Sequence, residues 1–166
     1  MDFEQFVGAH LPALVRYAAV LAGERDLAHD VVQDALVRAH ARWRRIGAMD
    51  RPEHYVRRMV TTEYLSWRRR RARRAAALTR WAVALTPGAV VDHAEGTVQR
   101  SALNQQLATL PAKQRAVLVL GFFEGLADPE IAELLGCSPG SVRTYRSRAL
   151  AVLRTELTAV PTGEIR

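Results

Sequence analysis

Residues 126–154, LADPEIAELLGCSPGSVRTYRSRALAVLR, decide the fold. They read as a helix, a tight turn and a second helix. Ile131, Leu134 and Leu135 give the first helix a short apolar face. Asp128 is placed to cap that helix, and Pro129 suits a first turn, where a missing N–H needs no partner. Gly136 can take the left-handed conformation that ends a helix. Ser138 then caps the next helix, with Pro139 at its first position. The second helix carries Arg143, Arg146, Arg148 and Arg154 and no acidic residue up to Arg154. Two short helices joined by a Gly-containing turn, the second basic and polar, describe a helix-turn-helix. The second helix suits the DNA major groove, where Arg, Ser and Thr reach base edges and phosphates. An ordinary helical hairpin with a solvated basic face is the competing reading.

The rest of the chain fits a small helical protein with a polyanionic partner. Its 166 residues allow one or two small domains, and 49% hydrophobic residues are enough for modest cores. The net charge is +7 and the sequence pI about 10.6, which favours nucleic acid or an anionic membrane. A single cysteine, Cys137 in the predicted turn, excludes an intramolecular disulfide and makes no zinc site by itself. It reads as a small apolar filler. The start MDFEQF lacks the features of a signal peptide, and no apolar run approaches the ~18 residues of a membrane span. A soluble cytoplasmic protein is expected.

Around the decisive stretch, the apolar residues recur at helical spacing. Residues 3–21 predict a helix that Pro12 breaks into two segments and Gly23 closes. Residues 26–45 predict one amphipathic helix with Leu27, Val31, Val32, Ala35, Leu36, Ala39 and Trp43 on its apolar stripe. Asp26, Asp30 and Asp34 step by four along another face with Gln33 beside them, either as a solvated acidic surface or as a docking face for a basic partner. Residues 46–51 form a loop, and Pro52 opens a helix on which Tyr55, Val56, Met59, Val60, Glu63 and Trp67 recur. Residues 75–98, with Pro87-Gly88, read as a linker. Residues 99–124 resume helix, interrupted at Pro111, with Leu103, Leu107, Leu110, Val117, Leu118, Leu120 and Phe122 as core candidates. This pair should pack on the helix-turn-helix, and residues 158–166 form a short tail.

Charge divides the N-terminal half. Residues 1–40 hold 3 basic and 6 acidic residues, net −3, whereas residues 41–75 hold 12 basic and 3 acidic, net +9. Such a split predicts two different partners, one basic and one polyanionic. Trp43, Tyr55, Tyr64 and Trp67 interleave with Arg44, Arg45, Arg57, Arg58 and Arg68. Arginines contact phosphates and aromatic faces stack on unpaired bases, although such aromatics also build ordinary cores. The run RRRRARR at 68–74 reads equally as a solvated segment or a phosphate-binding one. Chemistry is thin elsewhere. The sequence has no HExxH, CxxC, Gly-rich phosphate loop or GxSxG, and its five histidines are scattered. No enzyme, metal site or cofactor is expected.

Taken together, residues 26–43, 52–71 and 109–154 resemble the extracytoplasmic-function (ECF) sigma factors of bacteria, most of all the actinobacterial sigma-E type. The ordered set of blocks, rather than any one of them, carries the likeness. It implies an all-α protein with two small helical domains joined by a flexible linker. Region 2 would cover 1–74, the linker 75–98, region 4 with its helix-turn-helix 99–157, and the tail 158–166. The implied partners are core RNA polymerase, promoter DNA and an anti-sigma factor, with no small-molecule substrate. Asp30, Gln33, Asp34 and Arg38 would bind core polymerase. Arg44, Arg45, His54, Tyr55, Arg58, Thr62, Trp67 and Arg68 would open and read the −10 element, with a base flipped into a pocket. Ser138, Gly140, Ser141, Arg143, Thr144, Arg146, Ser147 and Arg148 would read the −35 element.

Two positions depart from the family pattern. Thr62 stands where Asn is common, and a hydroxyl offers a different hydrogen-bond pattern from an amide. Tyr145-Arg146 replaces the usual order of a polar or basic residue followed by an apolar one. Val142, Tyr145, Ala149 and Val152 still form an apolar stripe, so Tyr145 is expected to pack inward and Arg146 to face DNA. The alternatives are a stand-alone helix-turn-helix regulator, against which stands the N-terminal half with no receiver-like αβ pattern, and a membrane-surface adaptor using the arginine run.

Overall fold

The computed structural model describes residues 1–82 and 102–159, with side chains for residues 1–78 and 103–155. The described residues form eight α-helices and no strand: α1 Phe3–Ala22, α2 Arg25–His40, α3 Trp43–Ile46, α4 Pro52–Ala82, α5 Ala102–Thr109, α6 Ala112–Phe123, α7 Asp128–Leu135 and α8 Pro139–Ala159. They belong to two compact units, Met1–Ala18 with Glu24–Thr97, and Ala19–Gly23 with Val98–Arg166.

In the first unit, α1 starts with a reciprocal cap. Gln5 N–H donates to Asp2 Oδ1 (2.8 Å) and Asp2 N–H to Gln5 Oε1 (3.1 Å). Pro12 lies inside a continuous helix, contrary to the expected break. Proline removes one ladder bond, and the buried side chains Phe6, Leu14, Tyr17 and Ala18 on both sides of it hold the helix regardless. Gly23 closes the helix at φ 76°, as expected.

The helix expected over 26–45 is two helices. α2 buries Leu27, Ala28, Val31, Val32, Ala35 and Ala39, then ends at His40. Trp43 starts the short α3 and packs back on α1, with ring centroids 5.2 Å from Phe3 and 4.8 Å from Phe6. Its indole N–H donates to the Met1 carbonyl (3.3 Å). The break lets this indole reach a partner that a continuous helix would carry it past.

α4 opens at Pro52 as expected and lies along α2 through Val56, Val60, Tyr64 and Leu65. Two polar links cross this core. Tyr17 and Thr61 share a hydrogen bond between hydroxyls (2.7 Å), and Glu63, 4% exposed, pairs with Arg38 Nη1 at 2.8 Å. The helix continues through the arginine run to Ala82, so the first residues of the expected linker are helical. The rest of the expected linker and most of the expected tail lie outside the described residues.

In the second unit, α6 is the centre. Its residues Arg115–Leu120 are all buried, as on a helix enclosed on every side. Leu118 joins Leu107, Leu110, Ala149 and Leu153 on one side, while Val117 and Leu120 join Ile131, Ala132 and Val142 on the other. The buried Arg115 guanidinium donates to the carbonyls of Ala108 (3.1 Å) and Leu110 (3.3 Å), which the end of α5 would otherwise leave without partners. The expected packing of α5 and α6 on the helix-turn-helix is observed. Two core assignments are corrected: Phe122 is 71% exposed and Leu103 is exposed as well. Phe122 sits in the last turn of α6 with its side chain turned outward.

The turn at Gly136 follows the expected chemistry. Gly136 adopts φ 62°, its N–H bonds to the Glu133 carbonyl (3.3 Å), and the Cys137 N–H bonds to the Ala132 carbonyl (3.0 Å), a Schellman closure. Ser138 Oγ accepts from Ser141 N–H (3.1 Å) and caps α8. The start of α7 differs from expectation. Ala127 is the cap position, Asp128 is the first helical residue, and the Glu130 carboxylate accepts from Ala127 N–H (2.9 Å).

Nothing lies within 4 Å of a Cβ added at Gly136, so only the backbone opposes a side chain there. Gly136→Ala should therefore cost about 1 kcal/mol of unfolding free energy, and Gly136→Asn less, by chemical denaturation. Arg38→Ala leaves the buried Glu63 carboxylate without its ionic partner and should cost about 1–3 kcal/mol. Adding Glu63→Gln to that variant should recover part of the loss in a thermal melt at pH 7.

Candidate nucleic-acid interface

Three surfaces gather the residues singled out in the sequence. The first is the outer face of α2. Asp30, Gln33, Asp34 and Arg38 are all exposed, and the four-residue steps from Asp30 to Asp34 to Arg38 place them along one line. Val37 joins them at 65% exposure, an apolar residue on an otherwise polar face. Beside it runs a groove of about 950 Å³ between α1 and α2, with Leu11, Val15, Leu36 and Val37 as its apolar lining and Asp2 and Glu4 at its edge. The sequence reading placed Leu36 in the core and passed over Val37. The signal available was that Val37 falls between Gln33 and Arg38, off the apolar stripe.

The second surface lies on α3 and α4. Tyr55, Arg58, Met59 and Thr62 recur at the spacing of one helix face. With Arg38, Arg42 and Glu63 they line a cavity of about 350 Å³. Tyr55, Arg58 and Thr62 are thus brought together, whereas Arg44, Arg45, His54, Trp67 and Arg68 lie outside that lining. Thr62 donates its hydroxyl proton to the Arg58 carbonyl (2.9 Å), leaving the oxygen able to accept. Arg38, Arg42, Met59 and Glu63 were not anticipated in this role. Arg38 and Glu63 come from facing helices, a pairing that no local spacing reveals.

The interleaved aromatics divide. Tyr64 is buried, and Trp43 is half-buried on the Phe3 and Phe6 rings, so both serve the core. Tyr55 faces the cavity. Trp67 remains half-exposed with the Arg71 guanidinium 5.3 Å from its ring centre, and Arg68 lies 5.9 Å from that of Tyr64. Arg69, Arg70, Arg73 and Arg74 are exposed on the continuing helix.

The third surface is the outer face of α8. Ser138, Arg143, Thr144, Ser147 and Arg148 are exposed, with Gly140 and Ser141 partly so. Val142 and Ala149 are buried on the opposite face, and Tyr145 packs on the Val117–Ile131 cluster with the Lys113 ammonium 5.9 Å from its ring centre. Tyr145 is therefore inward, as expected. Arg146 departs from expectation: it is half-buried, and its Nη2 lies 2.6 Å from Asp128 Oδ1 of α7. The Thr144 hydroxyl donates to the Gly140 carbonyl (3.1 Å). At the end of α6, Phe122 and Phe123 are both exposed, a patch the sequence reading did not identify.

Among the described residues, no group of three His, Cys, Asp or Glu could hold a metal ion, and no helix is long and apolar enough to cross a membrane. The arrangement is one of binding surfaces: an acidic-apolar face on α2, a basic cavity on α4 and a basic outward face on α8.

Residues 6–74 match the family Sigma-70 region 2, and residues 100–153 match Sigma-70, region 4. The RNA polymerase sigma-E factors of Streptomyces avermitilis and Streptomyces coelicolor are each 35% identical to this chain. The alignments cover 95% and 96% of it and 86% and 88% of those proteins. The ECF RNA polymerase sigma factor SigL of Mycobacterium tuberculosis is 31% identical over 89% of this chain and 84% of its own length. Among solved structures, the sigma factor RpoE of Bartonella quintana, crystallised with the anti-sigma factor NepR, is similar with a TM-score of 0.59 and 26% identity. That likeness covers 96% of this chain and 98% of the RpoE chain. The chain belongs to the sigma-70 family, and within it to the ECF RNA polymerase sigma factors of the actinobacterial sigma-E type.

Proposed function

We propose that the three surfaces divide the work of a sigma factor among them. Asp30, Gln33 and Asp34 on α2, with the exposed Val37 between them and Arg38, dock on core RNA polymerase. Carboxylates around an exposed apolar residue suit a basic helical partner with an apolar centre. The α4 cavity receives an unstacked base of the −10 element. Tyr55 offers a stacking face, Arg58 and Arg42 offer cations for the flanking phosphates, and Thr62 and Glu63 offer acceptors. Arg44, Arg45, His54, Trp67 and Arg68, outside the cavity lining, serve as backbone-contacting or strand-separating residues. On α8, Ser138, Gly140, Ser141, Arg143, Thr144, Ser147 and Arg148 face the −35 element.

The observation that carries this reading is the outward face of α8. A capped helix held against α6 and α7 presents Arg143, Thr144, Ser147 and Arg148 together, which is what entry of a recognition helix into the major groove requires. Region 2 extends over 1–74 and region 4 over 99–157. The protein acts in the cytoplasm, has no catalytic activity of its own, and is held in check by an anti-sigma factor. Similarity to a sigma factor crystallised with such a partner supports the last point.

Run-off transcription with actinobacterial core polymerase on a sheared genomic template tests the reading. New discrete transcripts are expected only when the protein is added. Arg143→Ala should reduce their yield by about tenfold through the loss of 1–3 kcal/mol of DNA contact. The pair Asp30→Lys and Asp34→Lys should abolish co-purification with core polymerase while leaving the helical circular dichroism spectrum unchanged. Sequence-specific binding as a free dimer, with no transcripts, would replace this reading with a stand-alone regulator.

A further inference from the structure

We propose that Arg146 does not read DNA but fixes the angle at which the recognition helix is presented, with Asp128 as its partner. This rests on the reading of α8 as the −35 helix.

The two residues Tyr145 and Arg146 flank the inward line of α8. Successive residues turn by about 100°, so Val142 and Ala149 mark the buried line and Tyr145 and Arg146 lie on either side of it. Arg143, Thr144, Ser147 and Arg148 point the other way, and all four are exposed. Tyr145 settles into the apolar cluster. Arg146 carries a charge into the mirror position, where it needs a partner.

The partner is available because α7 is capped by another residue. Glu130 satisfies the Ala127 N–H, which leaves the Asp128 carboxylate to face α8. Arg146 reaches it across α6 at Gly121. A Cβ built on Gly121 would stand 3.3 Å from Arg146 Nη2 and 3.8 Å from Ile131 Cδ1, so the glycine makes room for the guanidinium. Side-chain exposures of 30% for Arg146 and 20% for Asp128 place the pair at the edge of the core, where water screens it only in part.

Three helices therefore meet at one ion pair. α8 supplies the cation, α7 the anion and α6 the gap between them. The apolar cluster sets which faces touch, but such packing tolerates a range of crossing angles. A charge-assisted hydrogen bond between α7 and α8 is directional and narrows that range. To reach a base edge, Arg146 would have to abandon Asp128 and leave a half-buried carboxylate beside the phosphates. As a positioning residue it keeps that carboxylate neutralised and holds Arg143 and Arg148 in register with the groove.

The test uses holoenzyme formed with core polymerase and measures affinity for a promoter against the same promoter with a scrambled −35 element, over a series of salt concentrations. Asp128→Asn is nearly isosteric, and Arg146→Met keeps the length of the stem. Each should lower the ratio of specific to scrambled binding by about three- to tenfold. The double variant should be no worse than either single one, because both remove the same interaction. Neither single variant should change the salt slope, whereas Arg143→Ala should reduce it by about one.

A merely structural defect would weaken both DNAs alike and leave the ratio intact, which would overturn the proposal. It is also overturned if Arg146→Met lowers the salt slope by about one while Asp128→Asn leaves the ratio unchanged, since Arg146 would then be a direct contact. Should Arg146→Met fail to fold by circular dichroism, Asp128→Asn decides alone. If Arg143→Ala alters neither ratio nor slope, the reading of α8 itself fails, a result distinct from the loss of the Arg146 role.

Discussion

A carboxylate buried inside a helix interface sets the architecture of the first unit. Glu63 lies on the face of α4 that packs against α2, between the buried Thr61 and Tyr64 and almost out of contact with water. An ionised side chain there must find an opposite charge or a set of donors. Arg38 supplies the charge from α2, and the pair links the two helices. The consequence is functional as well as structural. Arg38 stands on the exposed line of α2 with Asp30 and Asp34 and also in the wall of the α4 cavity, so a single side chain belongs to both surfaces. On the proposed function, the polymerase-facing and promoter-facing sides of this unit would be the two sides of one helix pair, not separate patches on a shared scaffold.

The second unit meets its constraints through helix ends. Four helices, three of them short, expose many unpaired backbone groups, and the unit satisfies them by several distinct means. Arg115 serves carbonyls at the end of α5, Glu130 serves the amide at the start of α7, the left-handed Gly136 folds the end of α7 back on itself, and Ser138 opens α8. α6 then needs no amphipathic pattern of its own, because neighbours surround it. Its run of apolar residues is the sequence trace of that enclosure.

Features governed by neighbouring residues were legible in the sequence. The turn around Gly136, the cap at Ser138, the start of α4 at Pro52 and the outward set on α8 each follow from spacing within one or two turns. Features governed by distant residues were not. The interruption at Ala41–Arg42 exists because Trp43 finds Phe3 and Phe6, residues about forty positions earlier. Pro12 fails to break α1 because the packing on either side outweighs one lost bond. Arg146 was assigned to DNA because the apolar stripe put Tyr145 inward, and no local spacing reveals its partner Asp128, eighteen residues earlier on another helix. Phe122 was assigned to the core because hydrophobicity says that a residue wants cover, not whether the fold supplies it.

The sides of α8 differ in how freely they can change. Arg143, Thr144, Ser147 and Arg148 are exposed and belong to no core cluster, so substitution among them leaves the packing of the unit untouched and, on the proposed function, alters only what is recognised. Arg146, Asp128 and Gly121 form a different class: Arg146 pairs with Asp128, and its guanidinium lies where a Cβ at Gly121 would crowd it. Inheritance should treat the two classes differently. The outward residues can drift one at a time as target sequences diverge. The trio shares one contact, so its members should change together more often than the outward residues do.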